Sequence, residues 1–406
     1  VTPELAAMQR ARVTSSAAAT SFSLFQGNQM KKRPIRALVT GAGTGSSANL
    51  MRALRTISPK PYVVGVNNDR FVLKLSVADA NYMAPDPDGR GFCDALLDII
   101  KREKINVVMA TNDNVVKTLS ENRRRFPIDL LLPRRETIEL CQDKYALSAF
   151  LRRKNVPAPR SFEVKSLGNL ERIFARFSDE GLLWCRARGG SRSLAGTPVA
   201  NVEQARAWIM QWRDLQGVKV SEFTLAEYLP GRHFMVQSLW HKGTMIRTQA
   251  VEALSYFAAG NNPSGIFSLS NLAKTVAAPE AVKIAISAVE AVEKRPSGTF
   301  FIELREAADG VPSITEINAG RFPSGVTALL AIGEDNMVEA FAAAAIGAKV
   351  KVAAEPFGFA SEYYMVRDID ALPAVFPAAE LIEEAGQRAI SPRRRADLSR
   401  SPNGVI

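Results

Sequence analysis

Residues 35–39 form an apolar run that leads straight into Thr40-Gly41-Ala42-Gly43-Thr44-Gly45, and residues 48–56 then repeat apolar positions at helical spacing. A buried strand that turns on glycines into a helix is the opening unit of a parallel sheet, because the chain must cross back before a second strand can lie beside the first. The pattern repeats. Residues 62–66 read as a second strand, 91–103 as a second helix and 105–110 as a third strand, with 130–132 closing the unit before Pro133. This alternation predicts an α/β domain over 34–134 with both sheet faces covered.

Beyond Pro133 the pattern changes. Residues 136–153 predict one helical segment, ended by Val156-Pro157-Ala158-Pro159. Strands then mix with helices at 169–177, 202–213 and 280–292, and a last packed helix at 338–346, which predicts an α+β region over 135–350. Residues 351–386 read as a C-terminal packing segment.

Charge separates the tails from the body. The net charge is +11, but residues 1–33 carry five basic side chains against one acidic (5 − 1 = +4) and residues 387–406 do the same (5 − 1 = +4). These read as a flexible basic extension and a disordered basic tail rather than a nucleic-acid footprint. No apolar run reaches the roughly 18 residues that a membrane span needs. The three cysteines (Cys93, Cys141, Cys185) never form CxxC, which fits a reducing, cytoplasmic setting. With only two histidines, His233 and His241, a site of several imidazoles is excluded, so demanding chemistry falls to carboxylates, Lys, Arg and backbone groups.

Two apolar-rich runs, 299–303 and 313–318, flank Ala308-Asp309-Gly310-Val311. Asp-Gly favours a two-residue type I′ hairpin turn. Such a turn sets Glu303 opposite Glu316, with Asn318 two residues on and on the same face. Like charges directly opposite repel, whereas two carboxylates and an amide oxygen on one face suit Mg²⁺, a hard cation.

The run Phe301-Ile302-Glu303, followed by Thr315-Glu316-Ile317-Asn318 and Arg321, resembles the metal-binding core of the ATP-grasp superfamily, in its carbamoyl phosphate synthetase and biotin carboxylase branch. The usual spacing there is Glu-x-Asn-x-Arg; this chain has one residue more before Arg321. The resemblance extends over residues 35–350. It implies a Rossmann-like domain in front of a two-lobed ATP-grasp catalytic region. It also implies ATP with Mg²⁺ (or Mn²⁺) held by Glu303, Glu316 and Asn318, and an acyl phosphate held by Arg321.

Other segments extend the resemblance. Asp143-Lys144 resembles the pair whose Lys144 reaches ATP phosphate, and Arg186-Ala187-Arg188-Gly189-Gly190-Ser191 resembles the strand and glycine flap over the triphosphate. Ala226-Glu227-Tyr228-Leu229 resembles the hinge that meets adenine, and His233 stands where relatives contact ribose. The loop at 41–45 and Asn112-Asp113-Asn114 would border the carboxylate substrate. The catalytic groups implied are Arg321 and Arg186, and the loops at 189–196 and 260–265 would close as lids.

The expected reaction is carboxylate–amine ligation through an acyl phosphate, with small-molecule carboxylate and amine substrates, no nucleic acid and no membrane; a homo-oligomer is compatible. Three alternatives stay open: a bicarbonate-activating enzyme of the carbamoyl phosphate synthetase kind, an NAD-binding oxidoreductase built on the glycine loop, and an inactive nucleotide-binding module. Against NAD, the second strand ends Gly65-Val66-Asn67-Asn68-Asp69, with Asn67 rather than an acid at its tip.

Overall fold

The computed structural model describes residues 34–178, 180–188, 196–257, 269–332, 336–353, 362–368 and 372–381, within one compact unit at 34–406. The basic extension, the basic tail and both expected lids lie outside the described residues, apart from position 196.

The chain opens with β1 (Arg36–Thr40), α1 (Gly45–Leu54), β2 (Tyr62–Asn67), β3 (Ala80–Met83), α2 (Phe92–Arg102), β4 (Val107–Met109) and α3 (Asp113–Glu121). The strands pair in parallel in the order β3-β2-β1-β4, as alternating strands and helices require. The chain therefore reverses its direction of winding between β1 and β4. That is the switch point where open α/β sheets bind ligands, at the carboxyl ends of the strands. The short edge strand β3 and helix α3 have no counterpart in the sequence reading; β3 exposes alternate residues and carries little apolar signal.

The single helix expected over 136–153 is two, α4 (Arg135–Gln142) and α5 (Lys144–Arg153). Asp143 leaves helical geometry and its carboxylate accepts from the backbone N–H groups of Tyr145 and Ala146, restarting the helix. Next come β5 (Ser161–Glu163), α6 (Leu170–Phe174), β6 (Leu183–Ala187), β7 (Thr197–Val199), α7 (Val202–Gln216) and β8 (Phe223–Glu227). They form a small antiparallel sheet, β5-β8-β6-β7.

The large sheet contains β9 (His233–His241), β10 (Thr244–Tyr256), β11 (Ser270–Thr275), β12 (Gly298–Glu306), β13 (Pro312–Ala319), β14 (Tyr363–Val366) and β15 (Ala374–Pro377), with α8 (Pro279–Val292) and α9 (Met337–Ala345) packed on it. Its order is β13-β12-β9-β10-β11-β14-β15, antiparallel throughout.

Burial divides these layers unequally. One core joins Leu38, Leu96 and Leu119 of the first domain to Phe234, Phe300 and Ile302 of the large sheet and to Ala285 and Val289 of α8. A second joins Val39 and Leu50 to Met235, Phe301 and Phe341. The small sheet instead has a core of its own, around Cys185, Ile209, Phe223 and Leu225. The first and large sheets thus share apolar burial, while the small sheet is a separately cored lobe. No helix among the described residues is long and apolar enough to cross a membrane.

The glycine loop is set by contact. Gly43 has φ +92°, and a Cβ there would lie 1.8 Å from the Val72 carbonyl oxygen. Gly43→Ala should therefore lower unfolding stability by about 1–3 kcal/mol in urea titrations. Gly45→Ala, where nothing lies within 4 Å, should change it by less than about 0.5 kcal/mol. Equal effects would show that the close approach to Val72 does not set the loop.

Candidate active site

The β12–β13 hairpin places Glu303 directly opposite Glu316, and Phe301 opposite Asn318. The expected pairing is present, but the expected turn is not. The Ala307 N–H donates to Val311 O (2.9 Å) and the Gly310 N–H to Ala307 O (3.0 Å), which closes a three-residue loop. Within it Gly310 takes positive φ (83°) while Asp309 accepts from Val311 N through its side chain (3.0 Å). This is not a type I′ turn, which needs two residues with positive φ. The register near the tip is consequently one residue off, with Leu304 opposite Ile314, and a β-bulge at Thr315 restores it before Glu316.

Glu303, Glu316 and Asn318 share one face, while Ile302, Leu304, Ile314 and Ile317 are buried on the other, against α4, α5 and α8. Cations from distant segments meet the carboxylates. Lys144, the first residue of α5, forms an ion pair with Glu316 Oε2, and Asn318 Nδ2 donates to Glu316 Oε1 (3.1 Å). Burial alone would push the Glu316 carboxyl up. Lys144, the Asn318 amide and the Arg186 charge outweigh burial and hold it well below the usual carboxylate range. Burial and the Glu316 charge instead raise Glu303, against the opposing effect of His233, whose Nε2 lies 3.3 Å from Glu303 Oε2.

Arg186, on β6, has a buried Nε with no hydrogen-bond partner among the described residues, although its charge acts on Glu316. Arg321 donates to Asn318 Oδ1 (2.6 Å) and, through Nε and Nη2, to both oxygens of Asp113 (2.6 and 3.2 Å). The extra residue before Arg321 is absorbed by Gly320 (φ +93°), which packs so closely on α3 that a Cβ would lie 2.9 Å from Val116. Asp113 begins that same helix at the switch point. The hairpin site and the first sheet's crevice are therefore joined through one ion pair.

The remaining sequence candidates lie around this cluster. Arg188 Nη2 donates to Asp143 Oδ2 (2.8 Å) and Nη1 to Glu163, so both sides of its guanidinium are held by carboxylates. Ala226 pairs across to Trp184 on β6, and Leu229 is buried between β8 and β9. Glu227 is tied to Arg160, whose N–H donates to its Oε2 (2.8 Å). Gly189, Gly190 and Ser191 lie outside the described residues. His233 has both ring nitrogens engaged by protein groups, Nε2 by Glu303 and Nδ1 by the Tyr256 hydroxyl (2.6 Å). Glu163, Asp143 and Tyr256 were given no partners by sequence reasoning, because each lies far along the chain from the group it meets.

Two carboxylates and an amide oxygen on one strand face can hold a hard divalent cation. No group of three or more His, Cys, Asp and Glu poised for a metal occurs among the described residues; here the third donor is the Asn318 amide. The glycine loop is poorly suited to a dinucleotide. Val72 O crowds Gly43, 1.8 Å from where a Cβ would stand, and Asp69 already accepts through Oδ1 from Phe71 N (2.7 Å) and Val72 N (3.0 Å).

Comparison with solved structures agrees with this architecture. An L-amino acid ligase from Bacillus licheniformis superposes with a TM-score of 0.61 at 15% identity, over 82% of this chain and 80% of that one. A biotin carboxylase from Campylobacter jejuni, in complex with β,γ-ATP, gives 0.63 at 14% identity, over 82% and 75%. The chain has the ATP-grasp fold. N5-carboxyaminoimidazole synthase from Aspergillus clavatus, bound to ADP and 5-aminoimidazole ribonucleotide, gives 0.60 at 15% identity, over 82% and 81%. The PylC-like N-terminal domain family matches residues 38–130, the parallel-sheet unit of the chain. No curated protein sequence matches the chain.

As a bare repelling pair, Glu303 and Glu316 would gain stability when either was neutralised. The structure reverses that expectation, since Glu316→Gln strands Lys144 and Arg186. The metal-free variant should lose roughly 1–3 kcal/mol. The Glu316 pKa is depressed on folding, so its contribution is complete above the unfolded value of about 4.3 and fades as pH falls toward the folded value. Lys144→Met should therefore melt below the parent near pH 7, with the gap narrowing below about pH 4. A gap that widens on acidification would assign the Glu316 shift to another cause.

Proposed function

We propose that the protein is an ATP-dependent carboxylate–amine ligase that works through an acyl phosphate. The observation that carries this reading is the convergence of Glu303, Glu316 and Asn318 on one sheet face with Arg321 just beyond β13 and with Lys144 and Arg186 from two other segments. Similar structures named as ligases and carboxylases, two of them holding ATP-type or ADP ligands, support it.

On this reading Glu303, Glu316 and Asn318 would hold Mg²⁺, with Mn²⁺ as a substitute. Bound there, the cation supplies charge neutralisation and orientation for the polyphosphate. The chain's own groups do the rest. Lys144 and Arg188 exchange carboxylate partners for phosphate oxygens, Arg186 joins them with its unpartnered Nε, and Ala226, Glu227 and Leu229 border adenine. A substrate carboxylate oxygen attacks the γ-phosphorus in line, the bond to the β,γ-bridging oxygen breaks, and ADP departs. Arg321 turns from Asp113 toward the acyl phosphate. The amine nitrogen then bonds the acyl carbon, the carbon–oxygen bond breaks, and phosphate and a proton are released. No protein nucleophile takes part.

The domain division follows: a front domain at 34–134 that presents the carboxylate, a catalytic region at 135–350 and a packing segment at 351–386. The described cysteines are free and buried, which suits the cytoplasmic setting we assign.

ATP with Mg²⁺ should raise the melting temperature, by the equivalent of about 2.7 kcal/mol at a hundredfold excess over Kd, and NAD should leave it unchanged. ADP release should appear only with particular members of a panel of amino acids, small acids and bicarbonate. A shift with NAD and none with ATP would overturn the proposal. ADP release with bicarbonate alone would redirect it to carboxyphosphate chemistry.

A further inference from the structure

A chain of close polar contacts leads to Glu303 from a direction that the ligase reading does not use. Arg305 Nη2 lies 2.7 Å from the Tyr256 hydroxyl, Tyr256 Oη lies 2.6 Å from His233 Nδ1, and His233 Nε2 lies 3.3 Å from Glu303 Oε2. The His233 and Tyr256 rings also stack, with centroids 5.9 Å apart and planes within 18°. Tyr256 is the last residue of β10, where the pairing with β11 is irregular around Ser255 and regains at Tyr256 the register it held at Ala253.

Donor and acceptor accounting gives the chain a direction. A guanidinium only donates, so the Tyr256 oxygen accepts from Arg305. The hydroxyl keeps its own proton, because burial pushes the Tyr256 pKa up to about 12 against the opposing charge of Arg305. That proton is then directed at His233 Nδ1, which must accept it. A neutral ring accepting at Nδ1 carries its hydrogen on Nε2, facing Glu303. Both nitrogens are committed, and neither is left for a ribose hydroxyl.

We propose that His233 is a positioning residue for the metal site rather than a nucleotide contact: Arg305 and Tyr256 hold its ring as the Nε2–H tautomer, and that hydrogen fixes the carboxylate of Glu303. The inference rests on the metal assignment made above. Hydrogen-bonded partners of metal ligands fix ligand orientation in the same way, and their loss typically weakens metal binding about 10- to 100-fold.

Only two histidines occur in the chain, so His241→Gln leaves His233 as the single imidazole signal. In that protein, free of metal and nucleotide and at about pH 8, where a free imidazole is neutral, ¹⁵N spectra of the ring should show a protonated Nε2 and a bare Nδ1. The Nδ1–H form or an imidazolium overturns the proposal. Tyr256→Phe should give a mixture of tautomers and weaken Mn²⁺ binding beside a non-hydrolysable ATP analogue by about tenfold or more, read by electron paramagnetic resonance. The affinity for the nucleotide without metal should stay within about twofold. Arg305→Met, which frees the hydroxyl to turn, should do the same and serves if Tyr256→Phe does not fold. His233→Gln, whose amide can still donate to Glu303, should retain more Mn²⁺ affinity than His233→Met. Unchanged Mn²⁺ affinity in the Tyr256 and Arg305 variants overturns the role. Absence of Mn²⁺ binding in the parent overturns the metal assignment itself and is recognised without any variant.

Discussion

Burying Glu303 across from Glu316 creates a demand that the hairpin cannot meet alone. Two carboxylates about one-fifth exposed (22% and 20%) face each other on a sheet whose other side is apolar core. The neighbouring strand β9 supplies His233 and β13 itself supplies Asn318, but the positive charge comes from Arg321 just beyond β13 and from Lys144 and Arg186, each reached by a separate excursion of the chain. The break between α4 and α5 matters for this reason. A continuous helix would set Lys144 by the rotation of its preceding turns, whereas the Asp143 cap begins a new helix with Lys144 at its first position.

The same demand couples the layers. Arg321 extends from the end of β13 to Asp113 at the start of α3, and Gly320 lets the intervening backbone lie against that helix. The switch point of the first sheet and the charged face of the large sheet are thereby tied together by one ion pair. The small sheet takes part through Arg186 while keeping its own core.

Much of this was legible in local pattern. Apolar runs broken by glycines announced the parallel sheet, and Glu303 opposite Glu316 followed from counting back from Asp309-Gly310. That count succeeded because two departures cancel: a three-residue loop moves the register one way and the bulge at Thr315 moves it back. Strand alternation shows which face a residue takes, but a bulge costs so little in composition that nothing in the residue types marks it. Lys144 and Glu316 are likewise 172 positions apart (316 − 144), and no periodicity links them. The role of Tyr256 was hidden for the second reason, being 49 positions (305 − 256) from Arg305 in the sequence.

The ion pairs of the site also have a consequence for how it can be filled. Lys144, Arg186 and Arg321 stand against Glu303, Glu316 and Asp113, and these six charges sum to 3 − 3 = 0. Beyond the unpartnered Nε of Arg186, an arriving polyanion must exchange partners, taking Lys144 from Glu316 and Arg321 from Asp113, carboxylates that are then left bare. Such an exchange is favourable only for a ligand that brings a counter-charge of its own to leave with them. Metal-free polyphosphate is thus disfavoured by electroneutrality, before any question of shape arises.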